Sequence, residues 1–135
     1  MNALIHWSLL ALLTGTTIMS ETMARPLFDF SGADAAKTWQ TVNDGVMGGV
    51  SEGKFKINDR NIMEFFGTLS LENNGGFASV RARVKKAGLE KGDVLLVRLR
   101  GDGREYSMNL YVPRPNFAFA YRSMIQTRKD EWMEV

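Results

Sequence analysis

The strongest constraint on this chain is a two-residue alternation of apolar and polar side chains, in short runs that turn residues interrupt. That period is the one of a β-strand with a single buried face. In 77–84, Ala78, Val80, Ala82 and Val84 share one face, and Phe77, Ser79, Arg81 and Arg83 the other. Residues 93–100 set Leu95, Val97 and Leu99 against Val94, Leu96, Arg98 and Arg100. Residues 105–112 set Tyr106, Met108, Leu110 and Val112 against Glu105, Ser107, Asn109 and Tyr111. Segments 61–70 and 117–127 read as further strands, 54–57 as a short one, and 132–135 as the start of another. A helix is credible only around 33–39, and it is short.

Asn43-Asp44-Gly45, Asn58-Asp59, Asn73-Asn74-Gly75-Gly76, Lys91-Gly92-Asp93 and Gly101-Asp102-Gly103 separate the runs, and Pro113-Arg114-Pro115 stops the strand before it. These residues tolerate positive φ or make Asx-turns. Strands at such spacing indicate an all-β antiparallel sandwich or barrel. A parallel α/β fold has no room for its crossover helices. Trp39, Phe65, Phe66, Phe117 and Phe119 are the expected core aromatics, while Trp132 depends on finding a partner strand.

The chain has 135 residues, one domain's worth, with 44% hydrophobic and 24% charged residues, which excludes wholesale disorder. It has no Cys, and its one His is His6. Residues 25–135 therefore hold no disulfide, no thiol nucleophile, no catalytic triad and no ordinary zinc, haem or copper site. The net charge of +2 is small and scattered, so nucleic acid is not an expected partner.

Residues 4–19 are apolar-rich, but short for a membrane span of about 20 residues. Thr22-Met23-Ala24 offers a cleavage site before Arg25-Pro26. Residues 1–24 thus read as a secretory signal peptide, with an uncleaved anchor or a buried core helix as alternatives. The first reading implies an exported, periplasmic or secreted chain with no transmembrane span in its mature part. The anchor reading implies a membrane-associated one. No N-x-S/T sequon is present.

Residues 48–55 (G-G-V-S-E-G-K-F) come close to a P-loop, but Phe55 stands where Ser or Thr must hold Mg²⁺, and a strand pattern follows. A glycine-rich turn between strands is the better reading. Asp44, Glu52 and Glu72 lie near glycine-rich turns and are the candidates for two-carboxylate chemistry or, with Asn73 and Asn74, for Ca²⁺. No spacing singles out a pair, and the bland reading is turn formers and surface charge. If strands 77–84, 93–100 and 105–112 are neighbours, Arg81, Arg83, Arg98, Arg100, Asn109 and Tyr111 make one polar face able to bind sugar or protein.

Two stretches carry a resemblance. Residues 39–51 (W-Q-T-V-N-D-G-V-M-G-G-V-S) resemble the opening signature of the complex I intermediate-associated protein 30 family, and residues 66–81 (F-G-T-L-S-L-E-N-N-G-G-F-A-S-V-R) resemble its second. Order and separation agree, over roughly residues 27–135. The resemblance implies a galactose-binding-like jelly-roll β-sandwich, here lacking the family's last strand or strands. It implies no catalytic residue, cofactor or metal. It implies a non-catalytic binding module, like the factors that bind assembly intermediates of respiratory NADH:ubiquinone oxidoreductase. The fold also hosts carbohydrate-binding modules, so a secreted sugar binder is the alternative. The signatures map onto Asn43, Asp44, Gly45, Gly48 and Gly49, and onto Glu72, Asn73, Asn74, Gly75, Gly76 and Arg81. These are the candidate binding residues, and the two loops are expected to form one surface.

Overall fold

The computed structural model describes residues 24–84, 86–112 and 119–135. The expected signal peptide (1–23 of its 24 residues), the Pro113–Pro115 strand stop and Phe117 lie outside them. No helix among the described residues is long and apolar enough to cross a membrane. The chain is all-β, with small antiparallel sheets of the kind that build a β-sandwich. It divides into two compact units, at residues 87 and 88.

The first unit holds β1 (Trp39–Asn43), β2 (Glu52–Ile57), β3 (Met63–Thr68) and β4 (Ala78–Ala82). β1 pairs with β4, from Trp39 opposite Ala82 to Asn43 opposite Ala78. β2 pairs with β3, from Glu52 opposite Thr68 to Ile57 opposite Met63. Alternation gives the β2–β3 hairpin an inner face of Gly53, Phe55, Ile57, Met63 and Phe65. Its outer face carries Lys54, Lys56, Glu64 and Phe66, where Lys56 Nζ meets Glu64 at 2.9 Å. Phe66 stands opposite Lys54 and is 49% exposed, which corrects its assignment to the core. A side chain at Gly53 would strike Ala78 Cβ and Asn43 Oδ1, so the β1–β4 sheet approaches the hairpin closely there.

The expected short helix is a 3₁₀ turn, Ala35–Thr38, and Trp39 already belongs to a strand. Trp39 packs edge-on against Phe28 at 4.9 Å and lies 5.7 Å from Phe30. All five residues of β1 are half-buried. Neither face is distinctly wet, and the same holds for β4, whose five residues are also half-buried.

The second unit holds β5 (Arg98–Arg100), β6 (Glu105–Val112), β7 (Phe119–Gln126) and β8 (Trp132–Glu134). β6 pairs with β7 from Glu105 opposite Gln126 to Val112 opposite Phe119. Ile125 is buried on the face that carries Met108 and Leu110, yet Phe119, 42% exposed, is not the core residue expected. It packs edge-on against exposed Tyr121, at 4.9 Å. β5 is shorter than the run 93–100 that predicts it, although Val97 and Val135 add two backbone hydrogen bonds beside it. Its faces fall as expected: Leu95, Val97 and Leu99 are half-buried, and Val94, Leu96, Arg98 and Arg100 exposed.

β8 is the partner strand that Trp132 needed, pairing with β5 so that Arg100 faces Trp132. β4, β5 and β6 pair with β1, β8 and β7, so they are not neighbours in one sheet. The strand pairing on which a continuous polar face from Arg81 to Tyr111 rested is therefore absent among the described residues. The Gly101–Gly103 turn closes on buried Thr127, whose hydroxyl donates to Arg104 O at 2.7 Å and accepts from Gly103 N–H at 3.1 Å.

Candidate functional site

The two signature loops meet through one carboxylate. β1 ends with Asn43 opposite Ala78, so the next residue, Asp44, falls opposite Phe77 and donates its N–H to Phe77 O at 3.2 Å. The Asp44 side chain turns inward and is 0% exposed. One of its oxygens accepts from Ser51 N–H at 2.9 Å. The other accepts from Gly76 N–H at 2.7 Å and Phe77 N–H at 3.3 Å. A buried carboxylate is costly unless hydrogen bonds replace its water, and these amides do so. The Ser51 side chain, then the amides of Gly76, Ser51 and Phe77, lower the carboxyl to about 2 against the upward push of burial. Asp44 is thus a fixed anion at neutral pH. It has no proton to donate as a general acid, and both oxygens are engaged.

The rest of each loop is arranged around this anchor. After Asn43 the chain enters a 3₁₀ turn, Asp44–Met47, and leaves it through Gly48 at φ 88°. Gly49 N–H donates to Asp44 O at 3.0 Å. Gly49 and Gly75 both press on the Asp44 carboxyl, where a Cβ would come within 2.4 and 2.6 Å of it. On the other loop, Glu72–Asn74 form a 3₁₀ turn in which Asn73 and Asn74 take φ of 54° and 58°, a region that Asn tolerates. Asn73 Nδ2 donates to Gly48 O at 3.2 Å, across the loops. Asn43 Nδ2 donates to Gly53 O at 3.2 Å.

The structure therefore brings Asn43, Asp44, Gly45, Gly48 and Gly49 together with Glu72, Asn73, Asn74, Gly75 and Gly76. Arg81 stands apart on β4. Its Nε donates to Ser79 Oγ at 3.0 Å, and Ser79 donates to Val42 O at 2.7 Å, so it helps to brace the β1–β4 pair. Among the described residues no His, Cys, Asp and Glu side chains gather as a metal-ligand set. Glu52 is exposed in β2, where Lys54 Nζ pairs with it at 2.9 Å. Lys54 is thus a strand residue with a carboxylate partner, and no helix N-terminus follows the glycines as phosphate binding would need.

Sequence reasoning missed two kinds of residue. Ser51 is buried, and its hydroxyl donates to Ser70 O at 3.2 Å and accepts from Ser70 N–H at 2.9 Å, a second tie between the loops. Its place at the end of the first signature was the available signal. The others are apolar. Val46, Met47 and Val50 on the first loop, and Leu69 and Leu71 on the second, all point to solvent, with Leu71 84% and Val46 74% exposed.

Gly48 separates two effects. Nothing lies within 4 Å of a Cβ placed there, so only its positive φ resists a side chain. Gly48→Ala should cost about 1–2 kcal/mol, the penalty of an L-residue in the left-handed region. Urea unfolding measures it, and Gly48→Asn, which tolerates that region, should recover part of the loss.

No solved structure matches the chain. The family model described as Complex I intermediate-associated protein 30 (CIA30) matches residues 28–135, which includes both loops and the eight strands of the described residues. The chain belongs to the CIA30 family.

Proposed function

We propose that this chain is a non-catalytic protein-binding module in the assembly of respiratory complex I, and that it docks partners through the paired loops 44–51 and 69–77. Family membership supports the assembly role. One structural observation carries the docking surface: Val46, Met47, Val50, Leu69 and Leu71 are exposed on loops that a buried, fully hydrogen-bonded carboxylate ties together. Large apolar side chains held out to water around a polar anchor are a recurring mark of protein interfaces. The chemistry at Asp44 argues against catalysis by that group, since it neither gives nor takes a proton near neutral pH.

Crosslinking pull-down of the full chain from its native cells tests this, with membrane and exported fractions kept separate. The expected result is enrichment of complex I subunits from the membrane fraction. Met47→Asp combined with Leu71→Asp should reduce it at least tenfold while leaving the melting temperature nearly unchanged, because both side chains are already solvated. Unchanged enrichment in that variant overturns the docking surface. Recovery only from the exported fraction with envelope glycan overturns the assembly role, and supports residues 1–24 as an export signal on a carbohydrate-binding module.

A further inference from the structure

The β5–β8 pair carries a second surface with different chemistry. Arg100 lies directly opposite Trp132, and Arg98 opposite Glu134. Alternation places Arg98 and Arg100 on one face with Trp132, and both guanidinium carbons lie over the indole, 5.2 and 5.7 Å from its centroid. Trp132 is itself 41% exposed. A guanidinium stacked on an aromatic ring keeps its edge N–H donors free to form a fork with a carboxylate.

Elsewhere in this unit arginines are engaged: Arg104 with Asp102, Arg128 with Glu131, and Arg122 with Asn109. Arg98 and Arg100 have no ion pair and no side-chain hydrogen bond among the described residues, even with Glu134 facing Arg98. Two stacked, unpaired guanidiniums side by side on an exposed sheet face form an arrangement suited to anions.

We propose that Arg98, Arg100 and Trp132 bind an extended acidic segment of a partner protein, with one carboxylate on each guanidinium. This deepens the protein-binding reading above, on which it rests, with residues of the second unit instead of the signature loops. Two observations fix the occupant. Residues two apart on a strand are about 6.5–7 Å apart, the same repeat as alternate side chains of an extended peptide. The exposed residues that alternate with half-buried ones just before Arg98 are Val94 and Leu96, which suit apolar side chains of a peptide rather than a sugar-phosphate backbone.

The test uses the full chain and a synthetic peptide of sequence Glu-Ser-Glu-Ser-Leu with blocked ends, read by titration calorimetry. The expected result is saturable binding that weakens several-fold from 0.05 to about 0.5 M NaCl, as screening requires. The pair Arg98→Gln and Arg100→Gln should weaken it at least tenfold. Lysine at both positions should fall between, because it keeps the charge and loses the fork. Trp132→Leu should weaken binding with the arginines intact, which a bare charge effect would not produce.

Equal binding by the glutamine variant, equal binding of a peptide with Gln for Glu, or displacement of the peptide by equimolar inorganic phosphate each overturns the proposal. The variant Met47→Asp with Leu71→Asp should bind the peptide normally. Failure of the loop surface and failure of this one are therefore read separately.

Discussion

Replacing Asp44 with alanine is expected to be the most damaging single polar substitution in the chain. Three amides, on Ser51, Gly76 and Phe77, would lose their acceptor inside a site closed to water. Buried donors left without partners are far more costly than an average hydrogen bond is stabilising, so a fall in melting temperature of roughly 15 °C is expected. Asp44→Asn should be nearly as harmful, since its amide group would point donors at donors. The acid limb of stability should change as well. The Asp44 carboxyl titrates near 3.8 when unfolded and about 2 when folded. The unfolded chain thus binds the proton first, and the stabilisation, full above pH 4, is lost as pH falls through about 2. Asp44→Asn should flatten the fall in melting temperature between pH 5 and pH 2. A residual slope should remain, because Asp29, Glu64 and Asp102 are also held low, chiefly by the Ser31 amide, the Asn58 side chain and the Arg104 amide. Wild-type and Asn curves of equal slope would show that Asp44 does not anchor the loops.

Gly67→Ala is the second substitution of large expected effect, and it acts through the backbone. Gly67 lies in β3 opposite Gly53, at φ 152°, and a Cβ there would stand 1.8 Å from Glu52 O. That oxygen belongs to the partner strand and cannot swing aside as a side chain would. The hairpin must shift its register or splay. Overpacking and the unfavourable φ together imply a loss of about 3–4 kcal/mol. Chemical denaturation should show it as a lower midpoint, beside the smaller loss at Gly48. If Gly67→Ala were no worse than Gly48→Ala, the close approach of β2 and β3 would be wrong.

Elements whose two faces differ were legible from sequence. β6 has the limits that 105–112 alternation indicates, and the 93–100 run shows its expected wet and half-buried sides. β1 was not legible, because the residues of Trp39–Asn43 do not alternate apolar with polar, whereas those of β4, equally half-buried, do. The aromatic residues misled where size was taken for depth: Phe66 falls on the charged side of its hairpin, opposite Lys54. For the site, the resemblance and the turn residues marked both loops. What joins them depends on register. Only the pairing of Asn43 with Ala78 sets residue 44 against residues 76 and 77, and no local pattern carries a contact spanning 32 positions. The expected arginine-rich face rested on β4, β5 and β6 pairing with one another, and each took a different partner.

The Asp44 anchor also bears on how firmly the loops can hold a partner. Loops rich in Gly and Asn ordinarily lose much conformational freedom when a complex forms, and that loss is subtracted from affinity. Here the freedom is surrendered during folding, when β1 and β4 pair and the carboxylate gathers its amides. Met47 and Leu71 are then presented on a shape that is already set, and association has little left to order. For the proposed docking, binding tight enough to outlast an assembly step thus becomes compatible with a contact surface made of only two short loops.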